Sequence, residues 1–284
     1  MANKLWSLCV CLCLAAGTLQ AQDDDRQVIE AARKTLRTYE KSLISLSAVL
    51  KIEAKGFAGS EQERKTQCSA TIIDPSGLAV TSLTNVNPQS VLPRIRLPRG
   101  GGSQTLEFDC QVQDAKYRLS DGTEVPARVV LKDEDLDLAF LAPQTPLDEE
   151  TQAKIVAIPL SDAATQVEVL DVTILVDRLN EDLDYTPTLT LGRIAAVLSK
   201  PRTCYLNTLG TLGMPVFNRE GKIVGILSRC IKPEGAEASM AEVVTRLAGM
   251  QGATNRLILP AADVARLVPP AKNEMKKSAD AEKK

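Results

Sequence analysis

The sequence predicts an all-β protein, a barrel or a sandwich, with one helix at each end. Three features say so. Apolar residues alternate with polar ones over many short stretches, each bounded by Gly, Pro, Asn or Asp clusters that suit tight turns. A helical period of three and four occurs near the start, at Val28 to Leu43. The stretch from Ala142 to Thr151, dense in proline and acid, divides the strands into two groups, as a joint between domains would.

In chain order, residues 1–21 read as a secretory signal, with Lys4 as the positive start, Leu5 to Ala16 as the apolar run and Leu19-Gln-Ala21 as the cut. That run is short for a membrane span, and no small residues stand before Cys9, Cys11 or Cys13 as a lipoprotein signal requires. Residues 22–43 form an amphipathic helix, since Val28, Ile29, Ala32, Leu36, Tyr39 and Leu43 fall on one face. Residues 44–141 carry the first group of strands. Ile44 to Ala54 alternates, Gly56 to Lys65 is a polar loop, and Cys68 to Val86 is two strands joined at Asp74-Pro-Ser-Gly77.

Residues 87–104 are rich in Pro, Arg and Gly, which reads as a solvated excursion before a basic contact for an anionic partner. Strands resume at Leu106 to Gln111, Ala115 to Leu119 and Val125 to Leu131, followed by Asp137-Leu-Ala-Phe-Leu141. After the linker 142–151, residues 152–268 hold the second group: Val169 to Val176, Leu189 to Leu198 with Gly192 at a bulge or close approach, and Leu257 to Pro260. Pro233 to Ala253 is an excursion, part helical, and Ala261 to Leu267 a short closing helix. The lysine-rich tail 269–284 shows no apolar stripe and is expected to be disordered.

The densest punctuation in the chain is Gly210-Thr-Leu-Gly-Met-Pro-Val-Phe-Asn-Arg-Glu-Gly-Lys-Ile-Val-Gly-Ile-Leu227, a tight loop, a strand, a turn and a return strand. Loops of this kind hold backbone N–H groups in a cup that can stabilise an oxyanion. Composition limits what else the chain can be. A net charge of −2 and a pI near 5.5 give no global field for nucleic acid. The histidine count is zero, so no imidazole serves as base, acid or metal ligand in these 284 residues.

Seven cysteines occur, three of them inside the signal segment, which leaves Cys68, Cys110, Cys204 and Cys230 for an oxidising compartment. Of three possible pairings, Cys68–Cys110 with Cys204–Cys230 keeps each bridge within one half of the chain; buried free thiols are the alternative. No metal and no cofactor is called for, since the spacings are wide and lack CxxC pairs.

The Gly210 loop resembles the nucleophile loop of trypsin-like serine proteases of the HtrA-type bacterial branch, Gly-Asn-Ser-Gly-Gly-Pro-Leu followed by Phe-Asn, a turn and Val-Val-Gly-Ile. On that pattern Leu212 stands in the serine's place and Met214 in the third glycine's. Thr81-Ser-Leu-Thr84 resembles Thr-Asn-Asn-His, with Thr84 at the histidine, and Asp137 matches the triad aspartate. The resemblance covers roughly residues 40–268. It implies a chymotrypsin-like pair of six-stranded antiparallel β-barrels with an N-terminal and a short C-terminal helix.

It further implies a degenerate triad at Thr84, Asp137 and Leu212, an oxyanion loop at Gly210, Thr211 and Gly213, and a peptide-binding edge at Ile226, Leu227 and Ser228. Asp137 is then expected to serve structure rather than catalysis, with the Thr84 hydroxyl as a donor. The function expected is that of a catalytically inactive, secreted or periplasmic protease homologue that binds a peptide or protein or acts as a scaffold. Nucleic acid and an integral membrane span after signal cleavage are not expected. The alternative is a hydrolase using Ser82 or Ser228 with Lys200 or Lys222; a third reading gives the lysine tail a role in envelope association.

Overall fold

The computed structural model describes residues 25–54, 61–87, 95–99, 102–106, 108–229 and 256–281. The signal segment 1–21 and the excursion 233–253 lie outside the described residues, as does Cys230.

Helix α1 spans 25–39 and ends in a 3-10 turn at Glu40–Ser42. It buries Ala32 and Thr35 and packs Leu36 and Tyr39 on the core, where the Tyr39 ring stacks on Phe217 at 4.9 Å. Ile29 is turned outward instead.

The first strand group is β1 (Leu43–Ala54), β2 (Gln62–Ile72) and β3 (Ala79–Ser82), then the single turn α2 (Leu83–Val86). A separate hairpin of β4 (Ile95–Arg99) and β5 (Gly102–Leu106) follows, so the basic stretch is partly strand. Next come β6 (Phe108–Arg118), β7 (Glu124–Asp133) and β8 (Leu138–Pro143). These close a six-stranded barrel in the order β1-β2-β3-β8-β7-β6. β6 runs unbroken where two strands were expected, because Gln113 is absorbed as a bulge between Val112 and Asp114 opposite β1. The Asp74–Gly77 turn forms as expected: Gly77 N donates to Asp74 O at 3.0 Å, with Gly77 at φ 84°.

The linker carries α3 (Glu149–Ala153), capped by Asp148 Oδ1 accepting from Thr151 N at 2.7 Å. The second group is β9 (Val172–Arg178), β10 (Pro187–Arg193), β11 (Ala196–Leu198), β12 (Cys204–Leu206), β13 (Pro215–Asn218), β14 (Ile223–Ser228) and β15 (Leu257–Pro260). It forms a seven-stranded half-barrel ordered β10-β9-β13-β14-β15-β12-β11. At Gly192 an added Cβ would lie 2.9 Å from Thr173 Oγ1, the close approach expected there.

Period-two alternation splits the strands between cores. In β8, Ala139 and Leu141 fill the barrel, while Leu138, Phe140 and Ala142 face outward onto Ile174, Val176, Phe217 and Ile226 of the second sheet. The far side of that sheet buries Leu175, Met214, Val216 and Leu227. The two halves therefore share one apolar interface. No described helix is long and apolar enough to cross a membrane.

Two expectations are corrected here. The last helix, α4 (Ala261–Ala281), does not stop at Leu267 and its second half is not disordered. Val264, Leu267, Val268, Ala271 and Met275 recur at steps of three and four against the core, and Lys272 Nζ meets Asp74 Oδ2 at 2.6 Å. Pro269 and Pro270 sit on the exposed side, where solvent can replace the hydrogen bonds they withhold. The Cys68–Cys110 disulfide is absent: both are free thiols. Cys68 pairs with Leu46 on one flank of β1 and Cys110 with Ile52 on the other. Six residues along a strand is about 20 Å, far beyond disulfide reach. The Cys204–Cys230 pairing falls on a residue outside the described set.

Candidate functional site

The site is assembled around one carboxylate. Asp137 lies in the tight turn before β8 with φ 54°, a left-handed conformation that Asp tolerates better than most residues. Its main-chain oxygen accepts from Leu83 N at 2.8 Å, and its Oδ1 accepts from Thr84 N at 2.9 Å and Thr84 Oγ1 at 2.8 Å. The Asp137 turn thus caps α2, and Thr84 is the donor expected of it. Oδ2 accepts from Ser82 Oγ on β3 and, across the interface, from Arg229 N at 2.9 Å and Ser228 Oγ at 3.4 Å. A buried carboxylate met by this many donors is fully satisfied without any imidazole.

The glycine loop approaches from the second sheet. Gly210 and Gly213 both have positive φ, 94° and 92°. A Cβ on Gly213 would lie 2.4 Å from Ser69 O and 2.5 Å from Thr81 Oγ1, so only glycine lets the loop lie against the barrel. Thr71 Oγ1 donates to Gly213 O at 2.8 Å and Asn85 Nδ2 to Leu212 O at 2.9 Å. Asn85, the residue after Thr84, thus ties the Leu212 backbone to α2, while Thr84 and Asp137 meet each other directly.

Gly213 N donates to Leu227 O at 2.7 Å, and Thr211 N points to Met214 Sδ at 2.9 Å. Met214 is buried in the core of the second sheet, so its sulfur is a fixed acceptor under the loop. Thr211 and Gly213, two of the three residues named for the oxyanion loop, thus turn their amides to the protein.

The expected peptide-binding edge is corrected at Ile226 and Leu227. β14 has neighbours on both sides, with Ile226 opposite Pro215 of β13 and also opposite Leu259 of β15. Ile226, Leu227 and Ser228 are all buried, and Leu227 N is taken by Met214 O at 2.9 Å. The ladder is thus closed on both sides at Ile226 and Leu227, while Ser228 pairs on one side only, with Leu257 of β15. What the loop borders is a cavity of about 460 Å³ between the two halves, lined by Leu212 and Thr211, by Cys68 and Asn85 of the barrel, and by Arg178 and Arg229.

Residues not singled out from the sequence hold this cleft together. Asp177 accepts from Ser69 Oγ at 2.7 Å on the barrel and from Thr211 Oγ1 at 2.6 Å on the loop. Arg178 Nη2 donates to Glu40 O at 2.9 Å and its Nη1 to Tyr185 O at 3.0 Å. Asp177 opens what reads in sequence as an acidic loop, and no local signal sets it apart.

The nucleophilic side chains described near the loop are each engaged by the protein. Burial pushes the Cys68 thiol up to about 12 despite a hydrogen bond with Thr81. Ser82 donates to Asp137 and is fully buried; Ser228 is buried and donates to Leu136 O at 2.8 Å. Lys222 pairs with Asp162 at 3.4 Å, and Lys200 is exposed. Among the described residues there is no cluster of three metal-ligating side chains.

Comparison with known proteins bears on this arrangement. A family model described as "Trypsin-like peptidase domain" matches residues 68–226, more than half of the chain. No curated protein matches it. Among solved structures it is similar to an HtrA-type protease, AlgW, solved with a tripeptide, at 14% identity and a TM-score of 0.52. The match covers 84% of this chain and 62% of that one, and at this identity it speaks for the fold alone.

Proposed function

The chain belongs to the trypsin-like peptidase domain family, and from that premise we propose that it is a catalytically inactive member holding a peptide segment in the cleft between its two halves. One observation carries the reading: Thr84 Oγ1 donates to Asp137 Oδ1 at 2.8 Å, in the place where the family pattern puts an imidazole, and the histidine count is zero. A threonine hydroxyl cannot accept a proton usefully near neutral pH, and the Leu212 side chain is hydrocarbon. Loss of the nucleophile alone lowers turnover about a millionfold in a related triad enzyme.

With the β14 ladder filled at Ile226 and Leu227, the cavity beside Leu212 is the place assigned to the ligand. That the similar protease was solved with a tripeptide supports a peptide as the class of ligand. The proposal includes location: the Lys4 start, the apolar run and Leu19-Gln-Ala21 support secretion or a periplasmic site, in which case Cys204 and Cys230 meet an oxidising compartment.

The test is a serine-directed phosphonate probe run beside a peptide library on the purified chain. The expected result is no covalent adduct by mass spectrometry, no cleaved peptide, and saturable binding of a subset. Stoichiometric labelling would overturn the inactive reading.

A further inference from the structure

We propose that the cleft recognises a peptide carboxylate, held between Arg229 and Arg256. This rests on the peptide-holding reading above and names the chemistry of the ligand.

The walls of the cavity are strongly one-signed. Arg178, Arg229 and Arg256 line it, with Asp177 the one carboxylate among its lining residues. Asp177 already accepts from Ser69, Thr211 and its neighbour Arg178 N. The Tyr185 and Glu40 carbonyls take Arg178 Nη1 and Nη2, the Glu40 and Asp177 carboxylates lie near its charge, and its Nε is buried without a hydrogen-bond partner among the described residues. Arg229 shares that last feature. Its main-chain N–H is bound to Asp137, but its side-chain Nε is buried with no hydrogen-bond partner among the described residues. A buried guanidinium nitrogen without an acceptor is costly to hold, and an incoming carboxylate oxygen meets that need.

The electrostatics point the same way. Burial lowers the Arg229 guanidinium from its ordinary range; Asp137 opposes the shift and Arg256 adds to it. Two cations that disfavour each other across a partly enclosed space favour an anion between them. The chain as a whole carries −2, so the positive cleft is a local feature and not a reflection of net charge. The shape selects as well: Leu212 offers an apolar contact beside the arginines, which suits a peptide better than a bare ion.

The experiment uses the full purified chain and fluorescence anisotropy with hexapeptides identical but for one site: Glu with an amidated C-terminus, Gln amidated, Gln with a free C-terminus, and Lys amidated. The Glu or the free-carboxyl peptide is expected to bind roughly ten- to hundredfold tighter than its neutral twin, the range of a charge-assisted hydrogen bond. Which of the two gains affinity tells a side-chain carboxylate from a terminal one. The preference should vanish in R229Q/R256Q and shrink as salt is raised.

R256Q alone, outside the Asp137 network, serves if the double variant melts early by circular dichroism. Equal binding of the Glu, Gln and Lys peptides, or a preference that survives R229Q/R256Q, would overturn the carboxylate assignment and leave peptide binding standing. Sulfate competing as well as the Glu peptide would overturn it too. Binding of no peptide at all would remove the peptide-holding reading itself.

Discussion

Asp137 is the residue on which both halves of the site depend, and its role here is that of a hub. Asp137→Ala leaves Ser82 Oγ, Thr84 N and Arg229 N without their acceptor and puts a β-carbon residue without a local hydrogen bond at φ 54°. The expected loss is about 3 kcal/mol or more in urea unfolding, since hydrogen bonds to a charged group contribute roughly 1.5–3 kcal/mol each. Asp137→Asn keeps a tolerant backbone and part of the acceptor set, and should lose less. At the same scale, placing the family pattern's side chains at Thr84 and Leu212 is not expected to create chemistry. T84H/L212S should stay inert against a library of unstructured peptides, because Asp137 is already met by Ser82, Thr84 N and Arg229 N, and Met214 stays buried beneath the loop. Cleavage by that variant would mean that the loop can be refilled by two substitutions alone.

At the scale of elements, two packings that sequence reading left unjudged carry the prediction. Gly225 sits where β14 passes β15, and an added Cβ would lie 1.9 Å from Leu259 O, a backbone atom that cannot move without breaking the ladder. Gly225→Ala should therefore fail to fold or lose more than about 4 kcal/mol, readable as insoluble expression or an early melt. Helix α4 is docked partly through Asp74. Burial pushes the Asp74 carboxyl up, but the Lys272 and Ser76 hydrogen bonds outweigh it and hold the group below its ordinary 3.8. Its folded pKa is thus below its unfolded one, so its contribution is complete above about pH 4 and is lost as pH falls through the lowered value. The acid limb of a circular-dichroism titration should flatten in Asp74→Asn, with α4 docking weaker at neutral pH. An unchanged acid limb would assign the acid sensitivity to other carboxylates.

Over the whole molecule, Phe140, Val176, Phe217 and Ile226 belong to one cluster that both halves share. Halves that bury each other's apolar faces should not unfold separately, so calorimetry is expected to show a single transition, and Phe140→Ala should lower it by an amount equivalent to about 3–5 kcal/mol. Two resolved transitions would break the argument. What the sequence determined by itself was local: alternation that marks strands, Asp74 to Gly77 as a turn, Gly210 to Gly213 as a tight loop, and the absence of any histidine. These follow from chain chemistry within a few residues, and a family pattern lends them order. The tertiary structure decided what depends on neighbours remote in sequence. β14 reads as an edge until β15 is seen to pair with it; Cys68 and Cys110 look like partners until β1 is seen to lie between them; the lysine-rich end looks like a tail until Asp74 and the core receive it. Burial and strand pairing are properties of what lies across the gap, which a single stretch of sequence does not specify. For the same reason the Gly210 loop and Met214 within it could be recognised in the sequence, while the contact of Thr211 N with the Met214 sulfur and the arginines facing the loop could be found only in the fold.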